Sequence, residues 1–120
     1  MNKKTVVIGA SAKADRYSNR AVRMLTKAGH DTIALGFEHA SIDNTPIETD
    51  WKKYDNVDTV TLYVNPMRQK EYYDYILSLH PKRIIFNPGT ENDELEKLAV
   101  ENKIQPLEAC TLVLLSTRQY

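Results

Sequence analysis

A chain of 120 residues is the length of one domain. Lys plus Arg and Asp plus Glu each number 16, so the formal net charge is zero; this excludes a nucleic-acid binder relying on a broad basic face but leaves room for a local anion pocket. The single cysteine, Cys110, excludes an internal disulfide, and no stretch approaches the ~20 apolar residues of a membrane span, so a cytoplasmic protein away from any membrane is expected.

Val6-Val7-Ile8, closed by Gly9, reads as a short buried strand. Apolar residues at Ala21, Val22, Met24, Leu25 and Ala28 give residues 18–28 the spacing of a helix with one buried stripe, and Gly29 stands where a helix C-terminal glycine belongs. Residues 32–35 predict a second strand, ended by Gly36. Residues 40–56 show no clean period and read as an irregular crossover, with Ile47 and Trp51 packing on the sheet edge. The β-branched and aromatic content of residues 57–64 predicts a third strand. Asn65 and Pro66 then have the form of an N-cap and first helical residue, opening a helix to about Leu79 with Tyr72, Tyr75, Ile76 and Leu79 on one face. Residues 83–86 form a fourth strand. Thr90 and Asp93 form a capping box for a helix that turns Leu95, Leu98 and Ala99 inward. Residues 104–107 form a fifth strand, and residues 111–115 a short final helix.

Strands alternating with helices imply parallel pairing through crossovers. The expected fold is therefore a single α/β domain over residues 1–120. Its core is a Rossmann-like doubly wound parallel sheet of about five strands, in order 3-2-1-4-5, with helices on both faces. Ligands in such sheets bind beyond the carboxyl ends of the strands, where strand order reverses; here that point is expected between the first and fourth strands.

Gly9, Gly36 and Gly89 all follow predicted strands on that edge, which favours close backbone approach to a ligand over ordinary turn chemistry. The segment from Gly9 to Asn19 is the most informative. Small residues after Gly9, including Ala10, leave backbone amides open; Ser11 and Ser18 add hydroxyls, and Lys13 and Arg16 add positive charge. The helix beginning near Ser18 aims its unpaired N–H groups and positive dipole end at the same space. Together these suit a pyrophosphate. For Ser18 a plain N-cap is an equal alternative, and for Lys13 and Arg16 a solvated loop charge is the competing reading. GxGxxG fails because Ser11 and Ala14 stand where glycines are needed, and GxxxxGK[ST] fails at Ala14 and Asp15.

At this loop the sequence resembles the CoA-binding domain family, small stand-alone Rossmann proteins related to the nucleotide-binding domain of the succinyl-CoA synthetase alpha subunit. The likeness is carried by Val7-Ile8-Gly9-Ala10-Ser11, by Arg16-Tyr17-Ser18, by Leu25 with Gly29-His30, by Val57-Asp58-Thr59-Val60, by Lys82-Arg83-Ile84-Ile85-Phe86 with Gly89, by Glu91-Asn92, and by the position of Cys110. The resemblance implies that the loop from Gly9 through Tyr17 to Ser18 holds the ADP portion of coenzyme A. It also implies that Gly36 and Phe37, with Tyr63 and Val64, flank the adenine and ribose. Where family members usually carry Val-Asn-Pro followed by lysine after the second strand, this chain reads Leu35-Gly36-Phe37-Glu38, so the charge is missing or reversed. That widens the expected ligand to dephospho-CoA or another adenine nucleotide.

Catalytic machinery is thin. His30, His39 and His80 lie apart, and no His, Cys or Asp cluster has metal-ligand spacing, so no metal is expected. Cys110 reads as a small buried hydrophobe, and the Tyr72-Tyr73 pair with Tyr75 as core or a face for a homo-oligomer. The leading expectation is a non-catalytic module that binds a small nucleotide ligand. The alternatives are an NAD(P)-dependent oxidoreductase-like protein, for which Glu38 speaks, and a regulatory protein-interaction subunit with a vestigial pocket.

Overall fold

Val6, Val7 and Ile8 have no exposed surface, because they lie mid-sheet where both faces are covered and every position must be apolar. The computed structural model describes residues 2–120 and places this run in β1 (Thr5–Ala10). Six further strands follow: β2 (Thr32–Gly36), β3 (Ala40–Ile42), β4 (Thr45–Glu48), β5 (Thr59–Leu62), β6 (Arg83–Phe86) and β7 (Gln105–Glu108). The sheet runs β3-β4-β2-β1-β5-β6-β7 and is parallel throughout except where β3 pairs antiparallel with β4.

The expected doubly wound α/β architecture is therefore present, with seven strands in place of about five. The two additional strands lie in residues 40–56, expected to be irregular. Ser41-Ile42 and Thr45-Pro46-Ile47 pair around a turn at Asp43, which adopts a positive φ of 52° that aspartate tolerates better than most residues. Runs of three and four residues are too short to display a period. β4 takes the place beside β2 that had been expected of residues 57–64. That segment, as β5, instead lies on the other side of β1. The strand order consequently reverses between β1 and β5, not between β1 and the strand at 83–86.

α1 (Tyr17–Lys27) and α5 (Thr111–Ser116) cover one face of the sheet, over a core that includes Val7, Val22, Leu25, Ala34 and Ile47. The other face holds Val6, Ile8, Leu62, Ile84 and Phe86 under Ile76 of α3 (Tyr73–Ser78) and Leu95 and Ala99 of α4 (Asp93–Glu101). The helix expected from Pro66 to Leu79 is interrupted. α2 (Pro66–Gln69) is capped by the Asn65 side chain as expected, one 3-10 turn (Lys70–Tyr72) follows, and α3 begins after Tyr72 leaves helical geometry at φ −115°, ψ 5°. That break accompanies the packing of Tyr72 against Trp51, with ring centroids 4.6 Å apart. The Thr90–Asp93 capping box does not form: Asn92 caps α4 by accepting from the Glu94 and Leu95 amides, while Thr90 is buried and its hydroxyl donates to the Asn87 carbonyl.

Candidate functional site

Two glycines shape the carboxyl edge of the sheet. Ile8 pairs with Leu35 and Ala10 with Gly36, so Gly9 is an extra residue that bulges from β1. Its φ is +97°, and a Cβ there would sit 3.0 Å from the Tyr63 carbonyl carbon and oxygen and from Val64 Cγ1. At Gly36 a Cβ would lie 2.6 Å from the Ala10 carbonyl oxygen and 2.7 Å from Ile47 Cγ2. Glycine is thus required for β1, β2 and the residues after β5 to converge.

Above this floor the loop from Ser11 to Arg16 is held by hydrogen bonds rather than collapsed. Ser11 Oγ accepts the Lys13 amide at 3.2 Å, and the Ser11 carbonyl accepts Asn19 Nδ2 at 2.9 Å. Asn19, buried in α1, is held in turn by Arg23 Nε at 2.8 Å. The N-cap of α1 is Arg16, in extended geometry, and not Ser18, which is buried within the first turn. No N-cap side chain bonds the first-turn amides and no acidic residue lies within that turn, so the amides at the positive end of the helix dipole remain open to a ligand.

Two contiguous clefts follow from this arrangement. One, about 250 Å³, is lined by Gly9, Ala10, Ser11, Ala12 and Arg16 on one side and by Phe37, Glu38, Ile47, Tyr63, Val64, Asn65 and Arg68 on the other. The second, about 400 Å³, shares Gly9, Ser11, Arg16, Tyr63 and Asn65, and adds Tyr17, Ser18, Pro88, Gly89 and Thr90. Gly36 borders an adjoining aromatic hollow with Phe37, Trp51, Tyr72 and Tyr75. Eleven of the twelve residues expected at a site therefore border one connected region. Lys13 does not: it is exposed and lines none of these surfaces. Gly89, at φ +91°, contributes shape more than an open donor, because its amide already donates to Glu91 Oε1 at 2.8 Å.

Sequence reading missed the side chains that hold this edge together. Gln69, fully buried, donates through Nε2 to the Val64 and Thr90 carbonyls at 2.9 and 2.8 Å, joining the segments after β5 and β6. Asn87 donates to Thr61 Oγ1 at 2.7 Å and the Leu62 carbonyl at 2.9 Å, and accepts the Thr111 amide at 2.8 Å, joining β5, β6 and α5. Buried amides of this kind are fully paired or costly, and nothing in their local sequence announces them. Arg68 was also missed, although it lies three residues beyond the recognised Asn65 cap; its Cζ stands 3.9 Å from the centroid of the Phe37 ring.

The Tyr63 hydroxyl is buried without a hydrogen-bond partner among the described residues. Burial pushes its pKa well up, with the neighbouring Cys110 adding to the effect against the pull of Thr111 and Thr61, so the phenol stays protonated. No histidine borders the clefts. Among the described residues Asp93, Glu96 and Glu108 bring carboxylates together where β7 ends, outside these clefts, and burial followed by Glu108 pushes Glu96 up to about 7. A larger concavity, about 900 Å³, lies at the amino ends of the strands. Two of its lysines are engaged within the protein, Lys4 Nζ with the Asp55 carbonyl at 2.8 Å and Lys82 with Asp58 at 3.9 Å, and no β-bulge opens onto it. No described helix is long and apolar enough to cross a membrane.

Among solved structures, an uncharacterized protein shares 45% identity with the chain at a TM-score of 0.97, over 100% of this chain and 99% of that one. A hypothetical protein from Pyrococcus horikoshii OT3 (24% identity, TM-score 0.85, 98% and 83% covered) and the cell-free ID.343 protein from Thermus thermophilus (18%, 0.82, 98% and 91%) share the fold. No curated protein matches the chain. Residues 3–116 match the family described as the CoA binding domain, and a match of that extent, with a Rossmann-like sheet bulged open at Gly9, shows that the chain belongs to the CoA-binding domain family.

Proposed function

We propose that this chain is a single-domain binding module, cytoplasmic and without chemistry of its own, that holds coenzyme A or a related adenine nucleotide with its diphosphate at the turn between β1 and α1. The observation that carries the reading is the uncapped first turn of α1 opening beside the Gly9 bulge, with Arg16 on the wall of both clefts. Backbone N–H groups and a helix dipole recognise a diphosphate without further machinery, and an arginine adds a charge-assisted, two-pronged contact. The adenine and ribose then lie toward Phe37 and the Tyr63-Val64 segment. Glu38, on the same wall, accepts ribose hydroxyls and disfavours a 3′-phosphate. A second reading, dinucleotide binding, rests on that same residue, because an acidic side chain at the end of the second strand is how doubly wound enzymes hold a ribose.

A ligand that binds only the folded state raises its melting temperature by mass action. Thermal shift with CoA, dephospho-CoA, NAD, NADP and ATP is the test. CoA is expected to stabilise, and dephospho-CoA to stabilise equally or modestly better. Stabilisation by NAD alone moves the assignment to the dinucleotide reading, and no shift with any of the five defeats both.

A further inference from the structure

We propose that Arg68 and Glu38 together set whether the bound nucleotide is accepted with a phosphate on its ribose, Arg68 attracting that phosphate and Glu38 opposing it. This rests on the nucleotide reading above and assigns specificity to a residue outside the β1–α1 loop. Arg68 lines the end of the cleft shared with Phe37, Glu38 and Ile47, and is absent from the end bounded by Tyr17, Gly89 and Thr90. The cleft it lines also reaches the Ser11–Arg16 loop, but its contact with Phe37 ties Arg68 to the segment after β2, where doubly wound sheets place the sugar.

Its geometry is prepared for an anion. The Asn65 side chain accepts the Arg68 amide at 2.9 Å and Pro66 precedes it in the same turn, so the backbone is fixed. The guanidinium is stacked 3.9 Å from the Phe37 centroid, an arrangement that holds its plane while leaving its N–H edges free. Among the described residues its side chain forms no ion pair; the one found joins Lys82 and Asp58. Glu38, in the same cleft, is likewise unpaired. An unpaired guanidinium and an unpaired carboxylate sharing one wall discriminate by difference: the carboxylate takes free hydroxyls, and the guanidinium takes a phosphate in two-pronged fashion.

The test is the ratio of dissociation constants for CoA and dephospho-CoA, measured by titration calorimetry on the full chain. In the unaltered protein the two are expected within a few-fold of each other. Arg68→Ala is expected to weaken CoA by about tenfold and leave dephospho-CoA unchanged. Arg68→Lys, which keeps the charge and loses the fork, is expected to fall between. Glu38→Gln is expected to strengthen CoA selectively, and Phe37→Leu, which removes the stacking platform, to move the ratio as Arg68→Ala does but less. Melting without ligand checks that each variant folds. An Arg68→Ala variant that weakens both ligands equally, or neither, overturns the proposal while the nucleotide reading stands. If the unaltered protein binds neither ligand, both fall.

Discussion

At the amino ends of the strands, a set of polar side chains around Tyr120 finds partners inside the protein. Lys3 Nζ donates to the Tyr120 carbonyl at 2.6 Å, the Tyr120 hydroxyl pairs with Thr5 Oγ1 at 2.6 Å, Arg83 Nε donates to Thr59 Oγ1 at 2.7 Å, and His30 Nδ1 accepts the Lys3 amide at 2.9 Å. At the carboxyl ends the buried amides Asn19, Gln69 and Asn87 are paired just as thoroughly. The groups above them are not: Arg16, Glu38 and Arg68 have no ion-pair partner among the described residues. A satisfied scaffold beneath an unsatisfied surface is what a binding edge requires, because donors committed to the protein are not available to a ligand. The amino edge is built for stability, whereas the carboxyl edge stays rigid below and open above.

Substitutions at the two edges should therefore separate stability from binding. The largest effect is expected at the amino edge. Tyr120→Ala removes the Thr5 hydrogen bond and the ring that stacks on Arg83 and His30, costing about 3 kcal/mol in denaturant unfolding while leaving the ligand-induced thermal shift intact. If that shift disappears, the two edges are not independent. Gly9→Ala comes next, at about 2 kcal/mol from positive φ and the 3.0 Å contacts with Tyr63 and Val64, and it should lose binding as well. Arg16→Ala should do the reverse of Tyr120→Ala, weakening CoA by about tenfold with stability changed by less than about 0.5 kcal/mol.

The smallest effect lies outside the clefts, where β7 ends. Glu96, raised to about 7 by burial first and then by Glu108 and Asp93, binds its proton more tightly in the folded state than in the unfolded one. Its contribution to stability is complete below the ordinary glutamate value and is lost as pH rises through about 7. Glu96→Gln should consequently stabilise by roughly 1 kcal/mol at pH 8, a gain that shrinks toward pH 5. A pH-independent effect would show that the carboxylate is not strained.

The convergence of Gly9, Ser11, Arg16 and Phe37 was legible because turn glycines and a strand-to-helix junction are local signals with a known place in doubly wound sheets. Three things were not. The β3–β4 hairpin has strands too short for alternation to register, and without it residues 57–64 were assigned to the wrong side of β1. Lys13 carries the right charge in the right loop, but the turn in which Ser11 Oγ takes its amide leaves it exposed and off the cleft wall. Arg68 and Gln69 act through partners distant in sequence, Phe37 and Thr90, and no spacing rule within a single chain pairs them.

Trp51 is the one tryptophan in the chain. Its indole Nε1 donates to the Gly36 carbonyl at 3.2 Å, and its ring lies 5.6 Å from that of Phe37. The molecule thus carries its own fluorophore at the rim where an adenine is expected to arrive. Emission intensity and wavelength, read without any label, should report occupancy of that rim in real time, giving association and dissociation rates from the native chain by stopped flow.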